Sequence, residues 1–291
     1  MINALGFLIT LACVFGGFIV AGGQIAVVLA ALPHEMLTIV GAAIGAFVVA
    51  NSTRVGKATL SGLSLVFKGP RWKKQDYVDL LSLLYVMVGT LKTKGVLGLE
   101  KHIEAPAESP LFQRFPRLSA DHHLLDFICD YFRMLTLNMD DPHQMADIIE
   151  ADIERLHHEE LAPQAAVSSL ADALPAIGIV AAVLGIINTM ASIDQPTEVL
   201  GEMIGSALVG TFLGVLLAYC FVAPMANRLG QIIEEDGTVY QVIKAALLSY
   251  LHGASKQMAV EAARRSVPSW HAPSFTELEA ALDELPNDLA A

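Results

Sequence analysis

The chain has 291 residues, 54% of them hydrophobic and only 16% charged, with a formal net charge of −12. Ordinary soluble domains carry about 25% charged residues, and the mean hydropathy here is +0.53. These values exclude a disordered chain, a coiled coil and a basic nucleic-acid binder, and they argue against a purely soluble enzyme.

The charge is also segregated. All 18 Lys and Arg residues fall between Arg54 and Arg155 or between Arg228 and Arg265. A membrane span needs roughly 20 mostly apolar residues. Four stretches of about that length lack Asp, Glu, Lys and Arg: 1–34, 36–53, 173–193 and 203–227. They predict four transmembrane helices near 3–30, 35–52, 173–191 and 202–223. The first link is then Leu32-Pro33-His34-Glu35 and the second runs from Ser192 to Glu198. Neither holds a Lys or Arg.

Basic residues follow the second span at Arg54, Lys57, Lys68, Arg71, Lys73 and Lys74, and the fourth at Arg228. The positive-inside rule places these ends in the cytoplasm. The expected fold is an all-α integral membrane protein of the inner membrane with both termini cytoplasmic. Residues 1–53 hold two spans, and 54–172 a helical cytoplasmic domain. Residues 173–227 hold two more spans, and 228–291 a cytoplasmic helical extension and tail. The N-terminus reads as an uncleaved first helix, because it lacks a signal-peptide cleavage pattern.

The first two spans are rich in Val, Ile, Leu and Phe, with one small pair at Gly41 and Gly45. The fourth is different: Ser206, Gly210, Gly214 and Ala218 recur every four residues, with Ala207 and Thr211 alongside. The third carries Gly178, Ala182, Gly185 and Thr189. Such stripes let helix backbones approach closely in lipid. They fit either packing of the third span on the fourth, or a groove for a partner's helix with Thr211 as its strong polar side chain. Pro175 opens the third span. Pro224 follows the fourth, as a stop, or as a kink or hinge if the helix continues. With Glu35 assigned to a link and Glu202 to the outer edge, the spans hold no embedded acid. A proton pathway normally needs one, so a carrying carboxylate is expected from another subunit.

In the middle segment, apolar residues from Tyr77 to Leu91 follow a helical period. A second amphipathic helix is expected near 121–136. Asp141-Pro142 predicts a cap and first turn for an acidic helix over about 142–161. Residues 228–252 and 274–285 also read as helical, and no strand is apparent. Cys13, Cys129 and Cys220 have neither metal spacing nor a disulfide pattern, and are expected to be packed thiols. Asp121, His122, His123 and Asp126, and the run His157-His158-Glu159-Glu160, are the candidate metal clusters, but they fall on expected charged helix surfaces. No phosphate loop, H-E-x-x-H or G-x-S-x-G motif occurs.

Several stretches resemble flagellar motor stator subunits of the MotA family, within the MotA/TolQ/ExbB proton channel superfamily. They are Val14-Phe15-Gly16-Gly17 with Gly22-Gly23, Asp79 to Tyr85, Leu174 to Gly185, Val209 to Tyr219, and Pro273 to Glu279. The resemblance implies a non-enzymatic subunit with no cofactor, forming a homopentamer around MotB, whose membrane helix carries the ion-binding Asp. It implies an ion-path and MotB-facing role for Pro175, Ala182, Gly185, Thr189, Gly210, Thr211 and Gly214, and a hinge at Pro224. It also implies that Lys92 and Glu100 act on the rotor protein FliG. Many members have Arg at the position of Lys92, and Lys keeps the charge without the bidentate fork. Sodium-type relatives have Thr where this chain has Ala182, so the transported ion is expected to be H+. Two other readings are an ExbB- or TolQ-like energiser, which four spans oppose, and a membrane-embedded metalloenzyme using the His clusters.

Overall fold

The computed structural model describes residues 2–137 and 139–286; the last five residues of the expected 228–291 extension lie outside them. Among the described residues the secondary structure is helical, with no strand. Five helices are long and apolar enough to cross a membrane. The chain divides into two compact units, residues 1–69 with 160–232, and residues 70–159 with 233–291.

The first unit begins with α1 (Ile2–Val20) and α2 (Ile25–Ala50). The turn between them lies at 21–24, with Gly22 at φ +82°, a region that favours glycine. This corrects the expected link at Leu32–Glu35. Pro33 and Glu35 lie inside α2, and Glu35 is buried. Proline removes one helical hydrogen bond, and apolar helices in lipid tolerate that loss when neighbours support the backbone. The acid Glu35 marks a buried site here, so links inferred from charge fall eleven residues too late.

α3 (Thr53–Lys68) follows after a Ser52 cap whose hydroxyl accepts from the Val55 N–H. Its buried residues Thr59, Gly62 and Val66 form one stripe, and the gap at Gly62 accommodates Leu229. Arg54, Lys57 and Lys68 are exposed on this helix, together with Leu60 and Phe67.

The expected break between an acidic helix and the third span is absent. α8 (Pro142–Met190) runs through both Pro163 and Pro175. Asp141 caps it, accepting from the backbone N–H groups of His143 and Gln144 at 2.8 and 3.0 Å, which holds its carboxyl below the usual range. α9 (Thr197–Leu216) passes through a π-helical segment, Leu217–Val222, into α10 (Ala223–Leu251). Phe15 packs edge-on against Phe212, and Phe7 stacks on Phe221.

The second unit is organised on α4 (Lys74–Glu104). This helix is apolar enough to span a membrane, yet 56% of its most apolar window is buried within the unit, against 0–39% for the other four. Leu80, Leu81, Leu83, Leu84 and Met87 are fully buried. Their partners come from α7 (His122–Thr136), α11 (Lys256–Arg265), α12 (Phe275–Asp283) and this unit's parts of α8 and α10. The short helices α5 (Pro110–Gln113) and α6 (Pro116–Ser119) each start on proline. Burial raises the Cys129 thiol to about 12, as befits a packed cysteine. Cys13, expected to be packed, is exposed on α1.

α12 is held by its first turn. Ser274 accepts from the Glu277 N–H, Glu277 accepts from the Ser274 N–H, and Lys74 pairs with the same carboxylate at 2.7 Å. Lys74 and the Ser274 backbone depress Glu277 to about 2. A depressed acid stabilises above its unfolded pKa and loses that contribution as pH falls toward the folded one. Protection of the 275–283 amides, corrected for intrinsic exchange at each pH, is therefore expected to be flat near neutrality and to fall between about pH 4.5 and 2 as α12 loosens. Ser274→Ala is expected to weaken the same segment at neutral pH by about 1 kcal/mol, read as faster exchange there.

Candidate functional site: the α8–α9 seam

Glycines bring α8 and α9 into backbone contact. A Cβ on Gly178 would meet the Gly210 carbonyl at 2.8 Å and the Gly214 Cα at 3.0 Å. One on Gly214 would meet the Leu174 carbonyl at 2.8 Å. One on Gly185 would meet the Ala207 Cβ at 2.6 Å. The two small-residue stripes thus interlock with each other, and of the two expectations for them the helix–helix packing is the one observed. Gly185, Gly210 and Gly214 are spent within the seam. They do not form an open groove in this chain.

Ala182 is buried, and its backbone N would lie 3.2 Å from a Cβ on Gly210. Thr189 is buried and its hydroxyl donates to the Gly185 carbonyl at 2.9 Å, closing the last turn of α8. Thr211 is half-buried beside Gly210, and Pro175 is half-buried within α8. By contrast, Ile179, Val180, Val183, Leu184, Ile186 and Ile187 leave an exposed apolar face on α8. The signal for that face in the sequence is the run of β-branched and Leu residues between the small ones.

Pro224 is not a helix stop. It sits in the first turn of α10, directly after the π segment. The Ala223 N–H reaches the Ala218 carbonyl, five residues back. Proline has no N–H and its ring clashes with the carbonyl four residues earlier. The wider π turn makes room for that ring and leaves the helix locally less regular.

Glu35 is the residue that sequence reasoning missed. Its side chain enters this site from α2, and a Cβ on Gly210 would come within 2.6 Å of its Oε2. The signal was present in Gly22-Gly23, a better turn than Pro33-His34.

Lys92 and Glu100 lie on opposite sides of a break in α4, where Gly95 has φ +67° and ψ −170°. Both are exposed. Lys92 donates to the Ala254 carbonyl, and Lys256 lies over the Tyr85 ring at 4.6 Å. The candidate metal clusters do not assemble. Asp121 caps α7 and pairs with Arg71, and among the described residues no group of three or more His, Cys, Asp or Glu could hold a metal ion.

The seam yields a test by size. Gly178→Ala and Gly214→Ala push a methyl into backbone and are expected to destabilise the membrane unit by roughly 1–3 kcal/mol. Gly41→Ala and Gly45→Ala meet nothing within 4 Å and are expected to be neutral. Thermal unfolding of the detergent-solubilised protein separates the two pairs.

Comparison with known proteins agrees with this architecture. Residues 4–95 match the motility protein A N-terminal family, and residues 120–241 match the MotA/TolQ/ExbB proton channel family. The chain is 40% identical to motility protein A of Escherichia coli K12 over 96% of its own length and 94% of that protein. Against motility protein A of Salmonella typhimurium the identity is 39%, with the same coverage. A solved structure of C. jejuni MotAB superposes with a TM-score of 0.70 at 19% identity, covering 92% of this chain and 95% of that one. The chain therefore belongs to the motility protein A family of flagellar motor stator subunits, membrane proteins of the MotA/TolQ/ExbB proton channel group, which are channel and motor components rather than enzymes.

Proposed function

We propose that this chain is the ring-forming stator subunit of a proton-driven flagellar motor, assembled as a homopentamer around the membrane helices of MotB. In this reading α1, α2, the 173–190 part of α8, and α9 with its π segment span the inner membrane. Both termini and the 70–159 unit are cytoplasmic. MotB supplies the ion-binding Asp. The observation that carries the reading is the glycine-locked α8–α9 seam in a chain of this family, with a wholly apolar face of α8 left unpaired beside it.

The seam gives the residues distinct tasks. Gly185, Gly210 and Gly214 hold the two helices close enough to move as one piece. Ala182, Thr189 and Thr211 set the polarity beside the ion path, and Pro175 frees a backbone carbonyl at its entry. Ala182 offers no side-chain oxygen; a dehydrated sodium ion needs several, whereas a proton needs a carboxylate and water. Protonation of the MotB Asp removes a charge from this seam. The lost charge shifts the contacts, the irregular turn at Pro224 absorbs the movement, and the ring steps. Lys92 and Glu100 present charge to FliG, where the step becomes torque.

Deletion of the gene is expected to leave cells with assembled but motionless flagella; absence of the filaments overturns the stator reading. Swimming that stops in protonophore and continues without sodium supports H+ as the ion, and the reverse pattern overturns it. Glu100→Lys and Lys92→Glu are expected to lower torque several-fold at unchanged membrane content, measured on tethered cells. Unchanged rotation in both variants and in their combination removes the two residues from the drive.

A further inference from the structure

Glu35 has no task in the mechanism above, and its surroundings are unusual for an acid. The residue is 9% exposed, and its Oε2 has no hydrogen-bond partner among the described residues. The position of a Cβ on Gly210 would be 2.6 Å from that oxygen and 3.2 Å from the Ala182 backbone N. The carboxyl group therefore lies where α2, α8 and α9 meet. Glu35 is ten residues into α2, or about 15 Å at the helical rise, roughly half of a hydrocarbon core.

An unpaired carboxylate at such a place costs several kcal/mol, and the neutral acid far less. The charged groups that could offset this are few. On α2 the neighbouring His34 is exposed, and it is the helix's only other titratable side chain. Residues 173–190 of α8 contain none. α1 has only the exposed Cys13. α9 has Glu198 and Glu202 near its start, both acids. Among the described residues these elements bring no Lys or Arg to Glu35, which favours its neutral, protonated form.

A groove lies on the same helix. It has a volume of about 760 Å³ between α1, α2 and α9, and its mostly apolar lining includes Val28 and Val209 together with Gln24, Glu198 and Glu202. Val28, Ala31 and Glu35 follow one another on the buried stripe of α2, so Val28 joins the groove wall to the stripe that holds the carboxyl.

We propose that Glu35 is a proton-binding residue of this chain, a station that takes protons from water in the neighbouring groove and passes them into the α8–α9 seam. The Glu35 carboxylate accepts a proton from water in the groove and becomes the neutral acid. It then gives that proton, through water, to the partner's carboxylate and is ready again. The proposal rests on the proton-driven reading above and adds a second titrating group, contributed by this subunit.

The test uses the full complex with its MotB partner, reconstituted in liposomes carrying an internal pH dye, with an imposed membrane potential. Glu35→Gln keeps the shape and neutrality of the acid and abolishes titration. It is expected to lower proton flux by about tenfold or more, at the lower end of what positioned proton-transfer groups contribute, with assembly unchanged. Glu35→Asp is expected to retain flux with an altered pH dependence. A Glu35→Gln complex with unaltered flux and pH profile overturns the proposal and leaves the proton-driven reading intact. Absence of proton flux in the unsubstituted complex overturns both. Should Glu35→Gln fail to assemble, the Glu35→Asp complex decides: a shifted profile supports the station, and an unshifted one overturns it.

Discussion

Backbone contact between α8 and α9 is the constraint on which the first unit depends. In lipid, helices gain little from burying apolar side chains against each other, because the acyl chains are equally apolar. Association then relies on close van der Waals packing. Gly178, Gly185, Gly210 and Gly214 permit a separation at which a methyl group would strike a carbonyl or a Cα. A seam this close leaves no room for a larger side chain at these four positions.

The same closeness explains what surrounds the seam. Small residues leave room for a side chain from a third helix, and α2 fills it with Glu35. Bulk that the seam excludes appears on the other face of α8, where Ile179, Val183 and Ile187 are exposed. An apolar face in a lone chain is ordinary lipid contact or an interface with further subunits. The π segment before Pro224 completes the arrangement, since it carries the helix onward past a proline that would otherwise break it.

The second unit closes around its own apolar core. α4 is as apolar as a membrane helix in places, yet its leucines are enclosed by α7, α11 and α12. Polar side chains outside that core are spent on caps and ion pairs, as Asp121, Asp141 and Glu277 illustrate. The break at Gly95 separates Lys92 from Glu100 and gives the two charges independent directions. A spacing of eight in the sequence therefore does not imply a shared helix face.

By itself the sequence determined that the chain is helical and membrane-embedded. Segregated charge and residue periodicity report how each segment meets water or lipid, and those are local properties. It also determined the cap at Asp141 and the small-residue stripes, because each depends on side-chain chemistry within a few positions. Tertiary structure decided what the stripes face, whether Pro33, Pro163, Pro175 and Pro224 end or merely interrupt their helices, and where the first turn lies. Each of those outcomes is set by what a neighbouring helix supplies to an unsatisfied group. Glu35 shows the difference most plainly: in the sequence an acid between apolar runs reads as a link exposed to water, and only the packing of α2 on Gly210 reveals it as buried.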